Sequence, residues 1–166
     1  MKAVLLSIRP QWCELIASGE KTVEVRKNAP KLGMPFMVYM YQTKKRWIYK
    51  LLPWLQARQA KVIGEFVCDR VDKYDYAVIA CAKFEVNGGE VEERKRYNAG
   101  ACLSAEEMFE YSGGKTLYGW RISDLKIYEQ PKMLGEFITP SGTGGVSGNH
   151  YLYHPAQSWC YVEELV

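Results

Sequence analysis

Short runs with strand character follow one another along this chain, and no repeating strand–helix order links them. That arrangement limits the fold more than any other feature of the sequence. Ala3 to Ile8 is an apolar run that reads as a buried opening strand. Pro10 then suits the first turn of a helix, where its missing N–H costs nothing. Trp12, Leu15 and Ile16 keep helical spacing, and Gly19 closes the helix just past its end. Residues 22 to 27 alternate as a half-buried strand, Pro30 and Gly33 interrupt the chain, and Phe36 to Tyr41 reads as the next strand. Val62 to Val71 is a further strand, with Gly64 placed for a bulge. Ala77 to Val86 and the run from Val91 are expected to pair as a hairpin around Asn87, Gly88 and Gly89. Ser104 and Glu107 form a capping box that opens a helix to about Tyr111, ended by Gly113 and Gly114. Tyr118 to Tyr128 and Ser158 to Leu165 complete the strands. The expected class is α+β, mainly β: a small barrel with peripheral helices.

The length of 166 residues fits one domain able to bury a core. No apolar run approaches the roughly 20 residues of a membrane helix. Residues 3 to 6 are too short for a signal-peptide core, and no membrane association is expected. Cysteines at 13, 68, 81, 102 and 160 are odd in number and lack CxxC spacing, which suits reduced thiols and a cytoplasmic location. Cys13, Cys68 and Cys160 lie among apolar residues and read as packing residues. The net charge is only +3, but residues 1 to 61 carry +9 and residues 62 to 166 carry −6. That asymmetry fits a polyanion-facing side, unless the fold interleaves the two halves.

The motif strand carries the chemistry. Gly19, Lys21, Glu24 and Arg26 form the pattern GxKxxExR. A carboxylate between two cations stays ionised and accepts hydrogen bonds from an amino or imino group. Arg26 can grip a phosphate or carboxylate through paired N–H donors. The set could read a base edge and hold its phosphate, or close one end of the fold as a structural ion-pair network. Arg9 follows the first strand and is a further phosphate-binding candidate unless it pairs with Glu14 or Glu20 on the surface. Phe36 to Trp54 holds six aromatics among Lys44, Lys45, Arg46 and Lys50, a mixture suited to stacking on unpaired bases and equally to a solvated basic helix with an apolar stripe. His150 and His154 flank a loop-like stretch and do not make a metal site without further ligands. The glycines from 142 to 148 lack the Lys-Ser/Thr of a phosphate-binding loop.

The opening "LLSIRPQWCELIASGEKTVEVRK", the strand at Gly64 to Phe66, the stretch "LYGWRISDLKIYEQPKMLGEF" and the closing "PAQSWCYVEEL" together resemble the ASCH family. The resemblance implies one PUA-like β-barrel over the whole chain, with insertions near 43–60, 75–101 and 139–150. It implies a cleft formed by the motif strand, the 36-to-50 region and the strand from Tyr118 to Ser123. RNA or a nucleotide-like ligand would then bind through Ser7, Arg9, Lys21, Glu24, Arg26, Lys45 and Trp120. One branch of the family hydrolyses the amide of N4-acetylcytidine with a Lys and a Thr on the motif strand; Lys21 matches the Lys, but Glu24 stands where the Thr would be. Another branch resembles a metal-influenced ribonuclease using a Lys, a Tyr and a Ser, for which Tyr41, Lys44 or Lys45, and Ser123 are the matches here. A small hydrolase with those residues or with Lys21 is therefore one alternative, and an adaptor that offers its basic face to an acidic protein is another. No cofactor is implied beyond a divalent metal in the ribonuclease reading, and the oligomeric state is open.

Overall fold

The computed structural model describes residues 1–44, 60–84, 100–140 and 150–165. Among these residues the chain is mainly β with three helices. Strand β1 (Lys2–Ile8) leads into helix α1 (Pro10–Ala17), then β2 (Val23–Arg26), β3 (Phe36–Gln42), β4 (Lys61–Cys68) and β5 (Val71–Tyr74). Helices α2 (Tyr76–Phe84) and α3 (Ala105–Ser112) follow before β6 (Leu117–Arg121) and β7 (Ser123–Lys132). The chain ends with β8 (Ile138–Thr139), β9 (His150–Tyr151) and β10 (Trp159–Glu163).

The described strands form three sheets: a five-stranded one in the order β10-β1-β3-β4-β7, a three-stranded one in the order β2-β6-β5, and the pair β8-β9. None of the three closes on itself as a barrel would. The two larger sheets share bent strands. Only Ile122 separates β6 from β7, and only Asp69 and Arg70 separate β4 from β5. Because β4 pairs with β7 and β5 pairs with β6, residues 61–74 and 117–132 make one long antiparallel pair that folds across both sheets. Gly64 sits at the irregularity. A Cβ there would lie 2.5 Å from the Lys126 carbonyl oxygen, so only glycine lets β4 and β7 approach this closely.

Alternation along β1 and β3 divides the core. Val4, Leu6, Ile8, Phe36, Val38 and Met40 face one cluster with α1 and Trp120, whereas Ala3, Leu5, Tyr39 and Tyr41 face another with Phe137 and Val162. Pro10 opens α1, and Gly19, at φ +81°, follows its last turn. Ser104 and Glu107 cap α3 reciprocally.

Two expectations change. Residues 77–84 are helical rather than the first arm of a hairpin. An apolar run this short has no periodicity that separates strand from helix, and Ala77, Ala80 and Ala82 favour the helix. The long strand expected from Tyr118 breaks at Ile122, where it passes from one sheet to the other. The proposed turn at 87–89, the basic segment from Lys45 and the glycines at 142–148 lie outside the described residues.

Candidate functional site

The motif strand β2 is short and buried, and its pairing with β6 sets Glu24 opposite Trp120 and Arg26 opposite Tyr118. Directly paired residues share a face, so this carboxylate, this guanidinium and the two rings point to the same side. Lys21 precedes the strand and turns inward. Its ammonium lies 3.5 Å from one Glu24 oxygen, donates to the Ala101 carbonyl, and sits 5.0 Å from the centre of the Trp12 ring. The other Glu24 oxygen takes Arg26 Nη2 at 2.9 Å. The same nitrogen donates to the Ser7 carbonyl at 2.7 Å, tying β2 to the end of β1.

Lys21 and Glu24 are 2% and 3% exposed, whereas the Arg26 side chain keeps 13%. Burial pushes the Lys21 ammonium below its ordinary value, and Glu24 pulls it back up. The Lys21–Glu24 half of the motif is thus satisfied and enclosed. Residues Gly100 and Ala101 complete that enclosure, since the Gly100 carbonyl also accepts from the Thr22 and Val23 amides.

The other half is not satisfied. Arg26 Nε and Trp120 Nε1 are both buried and have no hydrogen-bond partner among the described residues. Trp120 is fully buried, with its ring against Phe36 at 5.8 Å and Trp159 at 5.9 Å. Buried donors are almost always paired, so two of them on one face beside a fixed carboxylate form an unusual set. Both are donors only, and what would satisfy them is an acceptor such as a carbonyl or phosphate oxygen.

The remaining sequence candidates fall elsewhere. Ser7 gives its hydroxyl to the Ala156 carbonyl at 2.7 Å and contributes to the site through its own carbonyl. Arg9 is exposed at the start of α1, where its carbonyl accepts from the Trp12 and Cys13 amides. Tyr41 is buried in the cluster on the far side of the five-stranded sheet from Trp120. Lys44 is exposed just past β3, and Lys45 lies outside the described residues. Ser123 is half-buried where β7 begins, next to Ile122, whose amide donates to the Thr22 carbonyl. His150 and His154 are exposed, and no cluster of metal-binding side chains occurs among the described residues. An open hollow of about 420 Å³ is lined by Lys2, Leu32, Phe36, Met37 and Glu164, none of them in the motif.

Sequence reasoning missed the Ala101 carbonyl and the Trp12 ring as partners of Lys21. Backbone acceptors 80 positions away leave no local signal. Trp12, by contrast, is visible at helical spacing, which places it on α1 without showing what it faces.

The ASCH domain model matches residues 6–132. No curated protein matches the chain. Among solved structures, a tyrosine-to-phenylalanine variant of ASCH from Zymomonas mobilis is 19% identical with a TM-score of 0.58, covering 99% of this chain and 92% of that one. A serine-to-alanine variant from the same organism is also 19% identical, with a TM-score of 0.57 and coverage of 98% and 89%. The unsubstituted Zymomonas mobilis protein gives 19% and 0.57, with coverage of 98% and 88%. At this identity the likeness is one of fold.

Proposed function

The chain belongs to the ASCH domain family, and we propose that it binds RNA or a nucleotide-like ligand at the Arg26 side of the GxKxxExR motif. The observation that carries this reading is the pair of unpartnered buried donors, Arg26 Nε and Trp120 Nε1, beside the Glu24 carboxylate. A base carbonyl or phosphate oxygen would satisfy Arg26 Nε, whose side chain keeps 13% exposure, and a shift in the packing of the buried Trp120 ring would be needed for an acceptor to reach its Nε1. Lys21 holds Glu24 in place and does not reach the ligand. The same reading takes the chain as one domain in which the two larger sheets act as a PUA-like barrel, supported by the long antiparallel pair that runs through both. It also takes the site of action as cytoplasmic, consistent with five free cysteines.

The test is isothermal titration with nucleoside monophosphates against the unsubstituted protein, Arg26→Lys and Trp120→Phe. Each variant is expected to weaken binding about tenfold or more, because each removes a donor from a desolvated contact. Equal affinity in all three proteins contradicts the reading. Salt separates ligand classes: a polyanion loses affinity steeply as salt rises, whereas a single nucleoside does not.

A second reading, hydrolysis of an amide or phosphodiester with Lys21 as base, is favoured by one observation, the burial of Lys21 beside Glu24, which disfavours its charged form. It requires the Lys21–Ala101 contact to open. Turnover of single-stranded RNA or acylated cytidine, with and without chelator, tests it, and absence of both activities rejects it.

A further inference from the structure

Among the described residues, two aromatic rings pack against the Trp120 indole: Phe36 at 5.8 Å and Trp159 at 5.9 Å, both edge-on. Phe36 is buried and lies on β3, an inner strand of the five-stranded sheet. Trp159 is only half-buried and opens β10, the edge strand of the same sheet. Of the two rings that cover Trp120, Trp159 is the one with solvent beside it and room to move.

What holds Trp159 in place is polar and close in sequence to the motif. Its Nε1 donates to Asn28 Oδ1 at 2.8 Å, and Asn28 is exposed two residues beyond Arg26. An indole nitrogen only donates, so Asn28 must turn its amide oxygen to the ring. Further along the same segment, the Lys31 amide donates to the Tyr161 hydroxyl at 2.8 Å, and the Tyr161 ring packs on Trp159 at 5.3 Å. On its other flank Trp159 follows Ser158, whose carbonyl accepts from the Ser7 amide at 2.9 Å, and the Ser7 carbonyl receives Arg26 at 2.7 Å. The chain just past β2 thus lies against β10, and one exposed side-chain hydrogen bond fastens the indole to it.

We propose that Asn28 is a positioning residue: through its bond to Trp159 it latches that ring over Trp120 and keeps the unpartnered Trp120 Nε1 from an incoming acceptor. The effect on ligand affinity rests on the reading of the Arg26 site given above, whereas the latch itself does not. An acceptor pairs with Trp120 Nε1 once Trp159 has swung aside. The competent state is then a fraction of the population, and the apparent affinity is reduced by that fraction. Loss of one exposed side-chain hydrogen bond shifts such an equilibrium about threefold. The sign is distinctive. Damage to the fold weakens binding, but release of the latch tightens it.

The experiment follows exchange of the Trp120 indole proton with solvent by heteronuclear NMR, its signal assigned by its loss in Trp120→Phe, beside calorimetry with nucleoside monophosphates. Asn28→Ala removes the acceptor of the latch, and Trp159→Phe removes the donor while keeping a ring. Each is expected to quicken exchange of the Trp120 proton about threefold and to tighten the monophosphate about threefold. The double variant does no more than either alone, because both changes break the same bond. Unchanged exchange in Asn28→Ala overturns the latch. So does faster exchange with weaker or equal monophosphate binding, and so do effects that simply add in the double variant. Faster exchange with no monophosphate binding in any of the proteins upholds the latch and rejects the Arg26 reading instead.

Discussion

Arg26 reaches Glu24 at 2.9 Å while keeping its Nε unpartnered, so one guanidinium is at once a structural strut and an unsatisfied donor. The strut accounts for the stability of β2 against the end of β1. The free donor is what a binding site requires and a purely structural network does not.

Removing the carboxylate at the centre of this network leaves two buried cations uncompensated. Glu24→Ala is expected to lower stability by about 3 kcal/mol, because breaking a buried pair strands the remaining charge. Urea unfolding at neutral pH measures it. A loss below about 1 kcal/mol would place the network in the class of weak surface pairs.

Alkaline pH should destabilise the protein through its buried acids. Burial pushes the Cys68 thiol up to about 12 and the Cys160 thiol to about 11 from 9.0, and raises Tyr128, whose hydroxyl also donates to Glu65. The folded chain keeps these protons where the unfolded chain releases them, so stability falls as pH rises from about 9. Lys21 works in the opposite sense. Its folded value is lowered, so the folded state binds fewer protons and the cost fades as pH rises towards 10.5. Urea midpoints from pH 7 to 11 should decline, and Cys160→Ala should shallow the decline between 9 and 11. A midpoint that rises over that range would contradict the assignment.

The strand crossing at Gly64 is sterically closed to a side chain. Gly64→Ala sets a methyl group 2.5 Å from the Lys126 carbonyl oxygen, and separating β4 from β7 to make room should cost about 1–3 kcal/mol. A thermal melt of this variant that matches the unsubstituted protein would show that the strands yield freely.

The capping box of α3 offers a milder and local test. Ser104→Ala removes the acceptor for the Glu107 amide and should cost about 1 kcal/mol. Hydrogen exchange in the first turn of α3 should quicken, with the β1 and β3 amides unaffected. Uniform quickening would mean that the helix and the large sheet unfold together.

What the sequence revealed followed from local chemistry. Pro10 and Gly19 mark both ends of α1, and Ser104 with Glu107 marks the start of α3, because caps act within a turn of the chain. The alternation of β2 foretold that Glu24 and Arg26 share a face. What it hid depends on distant partners. Lys21 and Glu24 were as consistent with an open charged surface as with burial, and only the return of the chain at Gly100 and Ala101 encloses them. Tyr41 entered only as a match to the ribonuclease branch, and a strand with apolar residues on both sides gives no cue that it faces the core away from Trp120. Helix α2 reads as a hairpin arm for a related reason: a short apolar segment suits either structure until its neighbours are known.

The central claim is that the Arg26 side of the motif accepts a ligand oxygen at an idle donor. Calorimetric titration of a nucleoside monophosphate into the unsubstituted protein, Arg26→Lys and Trp120→Phe tests it most directly. The account predicts saturable binding that falls about tenfold or more in each variant while both remain folded. Binding that is absent in the unsubstituted protein, or equal in all three, would contradict it.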